Sequence, residues 1–144
     1  MLSDKDIVFG YNEILLFYEE FLANQRNGFK PSTNKILKDY LKEKKIILAF
    51  KNIEEDFPKH KTTAKSFFNC KAYSNESQLH ALFRHLRNAY AHGHVELVKI
   101  KHKQFYSFED KYTSGSRKGQ ASMIGQIYHK DLSNFITVLK SNKK

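Results

Sequence analysis

The 144 residues carry 25 Lys and Arg against 15 Asp and Glu, a net charge of +10, with twelve Phe, eight Tyr and no Trp. This length suits one domain over residues 1–144 around one ordinary core, and the lone Cys70 excludes an internal disulfide framework. No run of eighteen apolar residues occurs, and Met1 to Asp6 lacks a basic stretch leading into an apolar one, so a cytoplasmic protein without membrane contact is expected.

Ser3 is a suitable N-cap, with Asp4 and Asp6 placed to complement the helix dipole. Ile7, Tyr11, Ile14, Leu15, Tyr18 and Leu22 then share one face of a helix that ends at Asn27-Gly28. Pro31-Ser32-Thr33 opens a second segment. Its first stripe is Ile36, Leu37, Tyr40 and Leu41, and its second is Ile46, Ile47, Leu48, Phe50, Ile53 and Phe57. The pattern predicts one long helix or two stacked helices, stopped at Pro58, with Glu54-Glu55-Asp56 as a polar helix end. Ala64, Phe67 and Phe68 predict a short amphipathic helix over 61–70.

Ser74 to Gln78 starts the next helix, with Asn75 and Gln78 at capping-box spacing and Gly93 as its C′ residue. Val95 to Ile100 is β-branched and reads as a strand. Residues 104–128 read as a β-hairpin whose tip holds Lys111, Arg117 and Lys118. A last helix follows over Asp131 to Lys140, with Leu132, Phe135, Ile136 and Leu139 on one side. The expected architecture is mainly α, a helical bundle with a small β-hairpin before the final helix.

The charge is unevenly spread. Residues 1–60 hold ten basic and ten acidic side chains, whereas residues 61–144 hold fifteen basic and five acidic ones. That excess fits a polyanion-binding surface, and equally a Lys-rich composition with no such role. The helix over 79–92 gives it a focus. At 100° per residue, Leu79, Leu82, Phe83, Leu86, Ala89 and Tyr90 fill one arc, the core face. The other arc carries His80, Arg84, His85, Arg87, Asn88 and His92, with Ala81 and Ala91, and has neither acid nor Lys. Arginine forks match phosphate oxygens, and histidine exchanges protons near neutrality.

Arg87-Asn88-Ala89-Tyr90-Ala91-His92, closed by Gly93, resembles the RX4-6H signature of the HEPN superfamily in its Arg-Asn-x-x-x-His form. The surroundings are similar to a branch found on bacterial plasmids and genomes, with helices before the motif and a hairpin and helix after it. The resemblance implies a helical homodimer whose motif helices line a shared cleft. It also implies a metal-independent endoribonuclease without cofactor, in a toxin or antiviral defence role. RNA would be the substrate, and an antitoxin or other regulatory protein a candidate partner. On the matching positions, Arg87 and His92 would be catalytic, with Asn88 orienting substrate or histidine. Arg84, His85, His94, Lys111, Arg117 and Lys118 are further candidates for RNA contact, from the helical projection and the basic hairpin tip. The alternative is a catalytically silent module that binds RNA or a partner protein through the same face. His94 stands where related chains paired with a nucleotidyltransferase carry the modified Tyr, which argues against that control. His92-Gly93-His94 has only Glu96 as a nearby further ligand, a poor metal site. Cys70 is expected to be packing.

Overall fold

The computed structural model describes residues 2–51 and 60–144. Four α-helices occur among them: α1 (Asp4–Gly10), α2 (Lys35–Lys44), α3 (Gln78–Ala91) and α4 (Leu132–Ser141). Five strands accompany them: β1 (Ile46–Ala49), β2 (Ser66–Cys70), β3 (Val95–Ile100), β4 (Lys103–Lys111) and β5 (Ala121–Tyr128). The strands form one sheet in the order β1-β2-β5-β4-β3, with β1 and β2 parallel and the other pairs antiparallel. The fold is therefore α+β, and the mainly α bundle read from the sequence is corrected.

The ends of the chain follow the sequence reading. Ser3 caps α1 in a reciprocal capping box with Asp6. Past Gly10 the helical path widens into two π segments, Tyr11–Leu15 and Tyr18–Leu22. In α4, Leu132, Phe135, Ile136 and Leu139 are all buried. The hairpin is present as β4 and β5, with Phe105 opposite Tyr128, but it forms the middle of a larger sheet.

The error lies between residues 45 and 70. α2 stops because Lys45 takes a left-handed conformation (φ 57°) and donates its N–H to the Leu41 and Lys42 carbonyls. A Lys in this position carries no glycine signal. Ile46 and Ile47 are β-branched and enter β1, where the sequence pattern predicted continuing helix. The predicted helix over 61–70 is in fact strand β2 from Ser66 onward. Every residue of β2 is buried, so it shows no alternation. Ile53, Glu54-Glu55-Asp56, Phe57 and Pro58 lie outside the described residues.

One face of the sheet is aromatic. Phe68, Gly125 and Phe108 lie in one cross-strand row. Phe68 meets Phe108 at 5.5 Å and stacks on Phe135 of α4 at 5.4 Å. Gly125 makes the row possible, because a Cβ there would stand 2.1 Å from the Phe68 ring. The opposite face carries a polar row beside Phe67. The Lys61 N–H donates to Gln126 Oε1, and Gln126 Nε2 donates to the Thr63 and Lys65 carbonyls. His60 Nε2 lies 2.9 Å from Ser107 Oγ. α3 packs across the aromatic side, and α1 packs against α3 where Gly10 lets Tyr90 approach.

Candidate active site on the third helix

α3 starts at Ser77, whose hydroxyl accepts from the His80 N–H. Asn75, the expected cap, instead accepts from Arg26 at 2.8 Å, and Gln78 bonds Ser32. His92 is the C-cap, and Gly93 follows with φ 71°, the expected C′ glycine.

The polar arc of α3 is not a solvent face. His80, Ala81 and His85 are buried with the apolar residues. His80 sits between Glu76 Oε2 (2.8 Å, from Nδ1) and the Leu22 carbonyl (2.9 Å, from Nε2). His85 sits between Asp110 Oδ2 (2.7 Å, from Nδ1) and the Lys71 carbonyl (2.7 Å, from Nε2). Both nitrogens of each ring meet acceptors, so neither ring is free to engage a ligand.

Two carboxylates absent from the sequence reading hold this arrangement. Glu76 accepts from Arg84 Nε at 2.9 Å and Nη2 at 3.1 Å, and from the Tyr73 N–H. Its side chain is 1% exposed. Burial alone would raise its carboxyl, but the hydrogen bonds from His80 and Arg84 prevail and hold it at about 2. The Arg84 guanidinium also covers the Tyr73 ring at 4.2 Å. Asp110, on β4, accepts from His85 and from Asn88 Nδ2 at 3.1 Å. Burial pushes its carboxyl up, and hydrogen bonds from His85, Asn88 and the Lys111 N–H more than reverse that, leaving it below the ordinary range.

Asn88 carries the network to the motif arginine, since its Oδ1 accepts from Arg87 Nη1 at 2.9 Å. On its other side Arg87 donates through Nε (2.9 Å) and Nη2 (2.5 Å) to Glu19 Oε1, in the second π segment. The chain Asp110–Asn88–Arg87–Glu19 thus fixes the guanidinium, which stays 33% exposed.

His92 differs from the other two histidines of this helix region. It is exposed, its side chain makes no hydrogen bond with the described residues, and its ring faces only that of His94 at 6.2 Å. His94 is half-buried, with an unpartnered Nδ1.

The structure thus joins Arg87 to Asn88 directly. Arg84, His85, Asn88 and Lys111 line one small polar cleft of about 150 Å³ with Asp110 and Tyr73. His92 and His94 stand apart from it, at the end of α3. Arg117 and Lys118 are exposed in the turn between β4 and β5, outside that cleft. Cys70 is buried, which pushes its thiol up. Among the described residues no group of three or more His, Cys, Asp or Glu is arranged to hold a metal ion, and no helix is long and apolar enough to cross a membrane. Of the missed residues Glu19, Glu76 and Asp110, the last two left one trace in the sequence. Residues 61–144 hold only five acids, and two of them are the clamps on α3.

No curated protein and no solved structure matches this chain. A family model does: the one described as HEPN pEK499 p136 matches residues 13–141, which include α3 and the whole sheet. On that match, with Arg87, Asn88 and His92 in order at the end of α3, the chain belongs to the HEPN family.

Proposed function

We propose that this protein is a metal-independent endoribonuclease that works as a homodimer, with Arg87 and His92 as its catalytic residues. The observation that carries the reading is the contrast among the histidines of α3. His80 and His85 have both ring nitrogens occupied, while His92 is exposed and without a hydrogen bond. A base must reach the proton it removes, and of His80, His85 and His92 the last alone is exposed and unbonded among the described residues.

In the reaction, His92 takes the proton from a ribose 2′-OH. The 2′ oxygen then forms a bond to the adjacent phosphorus, and the bond from phosphorus to the 5′ oxygen breaks. His92 of a second copy protonates the departing 5′ oxygen, leaving a 2′,3′-cyclic phosphate and a 5′-OH. Arg87 stabilises the charge that builds on the phosphoryl oxygens. Asn88 is the positioning residue, because it ties one arm of the guanidinium to Asp110. Dimerisation supplies the second histidine. An apolar cleft of about 500 Å³ beside His92 supports that step, lined by Ile7, Tyr11, Leu15, Tyr90, Ala91 and Gly93. Ile7 and Tyr11 are each 54% exposed there, an apolar surface suited to a second copy. Such an activity suits a toxin or antiviral effector.

One observation favours the silent RNA- or protein-binding reading instead: Glu19 already occupies Arg87. The two readings separate on purified protein incubated with RNA in EDTA. Cleavage leaving 2′,3′-cyclic ends, abolished by Arg87→Ala or His92→Ala, is expected. His92→Ala should leave the melting temperature nearly unchanged, since the side chain holds nothing. Full-rate cleavage by His92→Ala would remove it from the mechanism, and no cleavage by any form would favour the silent module.

A further inference from the structure

Five lysines converge at the end of the sheet remote from Asp110. β1 and β2 begin there, paired as Ile46↔Ser66, and β5 ends there, with Tyr128 opposite Phe105 near the start of β4. A cleft of about 560 Å³ opens between these ends. Lys42, Lys44 and Lys45 reach it from the end of α2, Lys65 from the entry to β2, and Lys103 from the start of β4. Among the described residues, the single acid on its lining is Asp131. None of the five lysines has an ion pair with the described residues, whereas Lys35, Lys61, Lys111 and Lys140 each do. The walls are apolar: Leu41, Ile47 and Phe105, with the half-buried Tyr128 ring 5.9 Å from Lys103 Nζ.

A solvated helix face spreads its lysines apart. Here three separate stretches of chain, one of them from the electrically neutral first half, deliver ammonium groups to one cleft. Their mutual repulsion is relieved by an anion that bridges them. Several phosphates in series match several point charges along a groove, and a partly exposed aromatic ring offers a stacking platform for a base of any identity.

We propose that this cleft binds a segment of single-stranded RNA, with phosphates on the five lysines and a base against Tyr128. It is a second contact site, separated from the Asp110 end by the length of β5, roughly 23 Å for its eight residues. The inference rests on the RNA reading above, but not on catalysis.

The test uses a 2′-O-methylated RNA strand, which cannot be cut, and fluorescence anisotropy over a range of salt. The variant is Lys44→Gln/Lys45→Gly/Lys103→Gln, in which glycine preserves the left-handed turn at position 45. Its affinity should fall by about tenfold or more, and the slope of log K against log salt should shrink by about 2, at roughly 0.7 per phosphate contact. The thermal midpoint should stay at the wild-type value. Tyr128→Leu should weaken binding with the slope unchanged. Wild-type affinity and slope in the triple variant would overturn the proposal, as would ATP displacing the strand at equal concentration, which would make the occupant a mononucleotide. No RNA binding by the wild type would overturn the cleft and the RNA reading together. Loss of binding on cleft substitution, in a protein that cuts no RNA, would support the cleft and refute the nuclease.

Discussion

Replacing Glu76 by Gln should remove the main electrostatic anchor beneath α3. The carboxylate takes two hydrogen bonds from Arg84, one from His80 and one from the Tyr73 N–H, with 1% of its side chain exposed. Its folded carboxyl titrates at about 2, against an ordinary value of 4.5. Because the folded value is the lower one, the ionised form stabilises the fold. That contribution is complete above about 4.5 and is lost as pH falls toward 2. The difference corresponds to about 3 kcal/mol at pH 7, near the range for breaking a buried ion pair. The assay is urea unfolding of wild type and Glu76→Gln at several pH values. The gap between them should be about 3 kcal/mol at pH 7, narrow to about 1 kcal/mol by pH 3, and continue to close below that. Asp110 also titrates in the acid range, but it is present in both proteins and cancels in the difference. A gap under about 1 kcal/mol at pH 7, or one that stays constant down to pH 3, would refute the argument.

Gly125→Ala should destabilise by about 1–3 kcal/mol or more, since its Cβ would lie 2.1 Å from the Phe68 ring within a packed aromatic row. A lower urea midpoint with an unchanged m-value would show it, and an unchanged midpoint would mean that Phe68 moves freely aside. Asp110→Asn should cost about 1–3 kcal/mol by loosening Asn88 and His85. It should also lower kcat for RNA cleavage more than it raises KM, because Arg87 loses its orientation; a change in stability alone would confine Asp110 to a structural role.

The amphipathic stripes of α3 and α4 were legible, because each helix sets its apolar residues on a buried side. α4 and the core face of α3 follow from their spacing, as do the N-cap at Ser3 and the turn at Gly93, whereas Ile7 and Tyr11 of the first stripe are exposed and the capping box lies at Ser3 and Asp6, not at Asn75 and Gln78. β1 and β2 were not legible. β2 is buried throughout, and Ala64, Phe67 and Phe68 happen to fall at helical spacing, so periodicity pointed the wrong way. In α3 the projection divided polar from apolar correctly but could not tell solvent from a buried polar network. The partners of His80 and His85 are a carbonyl 58 residues away and a carboxylate 25 residues away, and neither leaves a local signal. The lysine cleft has the same character, since Lys65 and Lys103 join the three lysines at the end of α2 only through the folded sheet.

The two arginines of α3 look alike in sequence, and the difference between them decides which one can meet a phosphate. Arg84 is 16% exposed and bound to a carboxylate that is 1% exposed. Drawing it away would leave the buried Glu76 without its guanidinium partner, at several kcal/mol. Arg87 is paired with Glu19, which is 49% exposed. A pair so open to water contributes about 1 kcal/mol or less, because solvent screens it and rehydrates the carboxylate when it leaves. In the proposed reaction a phosphate of RNA would offer two oxygens to the same fork and displace Glu19 at small cost. Asn88, held by Asp110, keeps the third nitrogen of the guanidinium in place during the exchange. The buried network thus retains Arg84 as structure and leaves Arg87 oriented and exchangeable, five residues before the exposed His92.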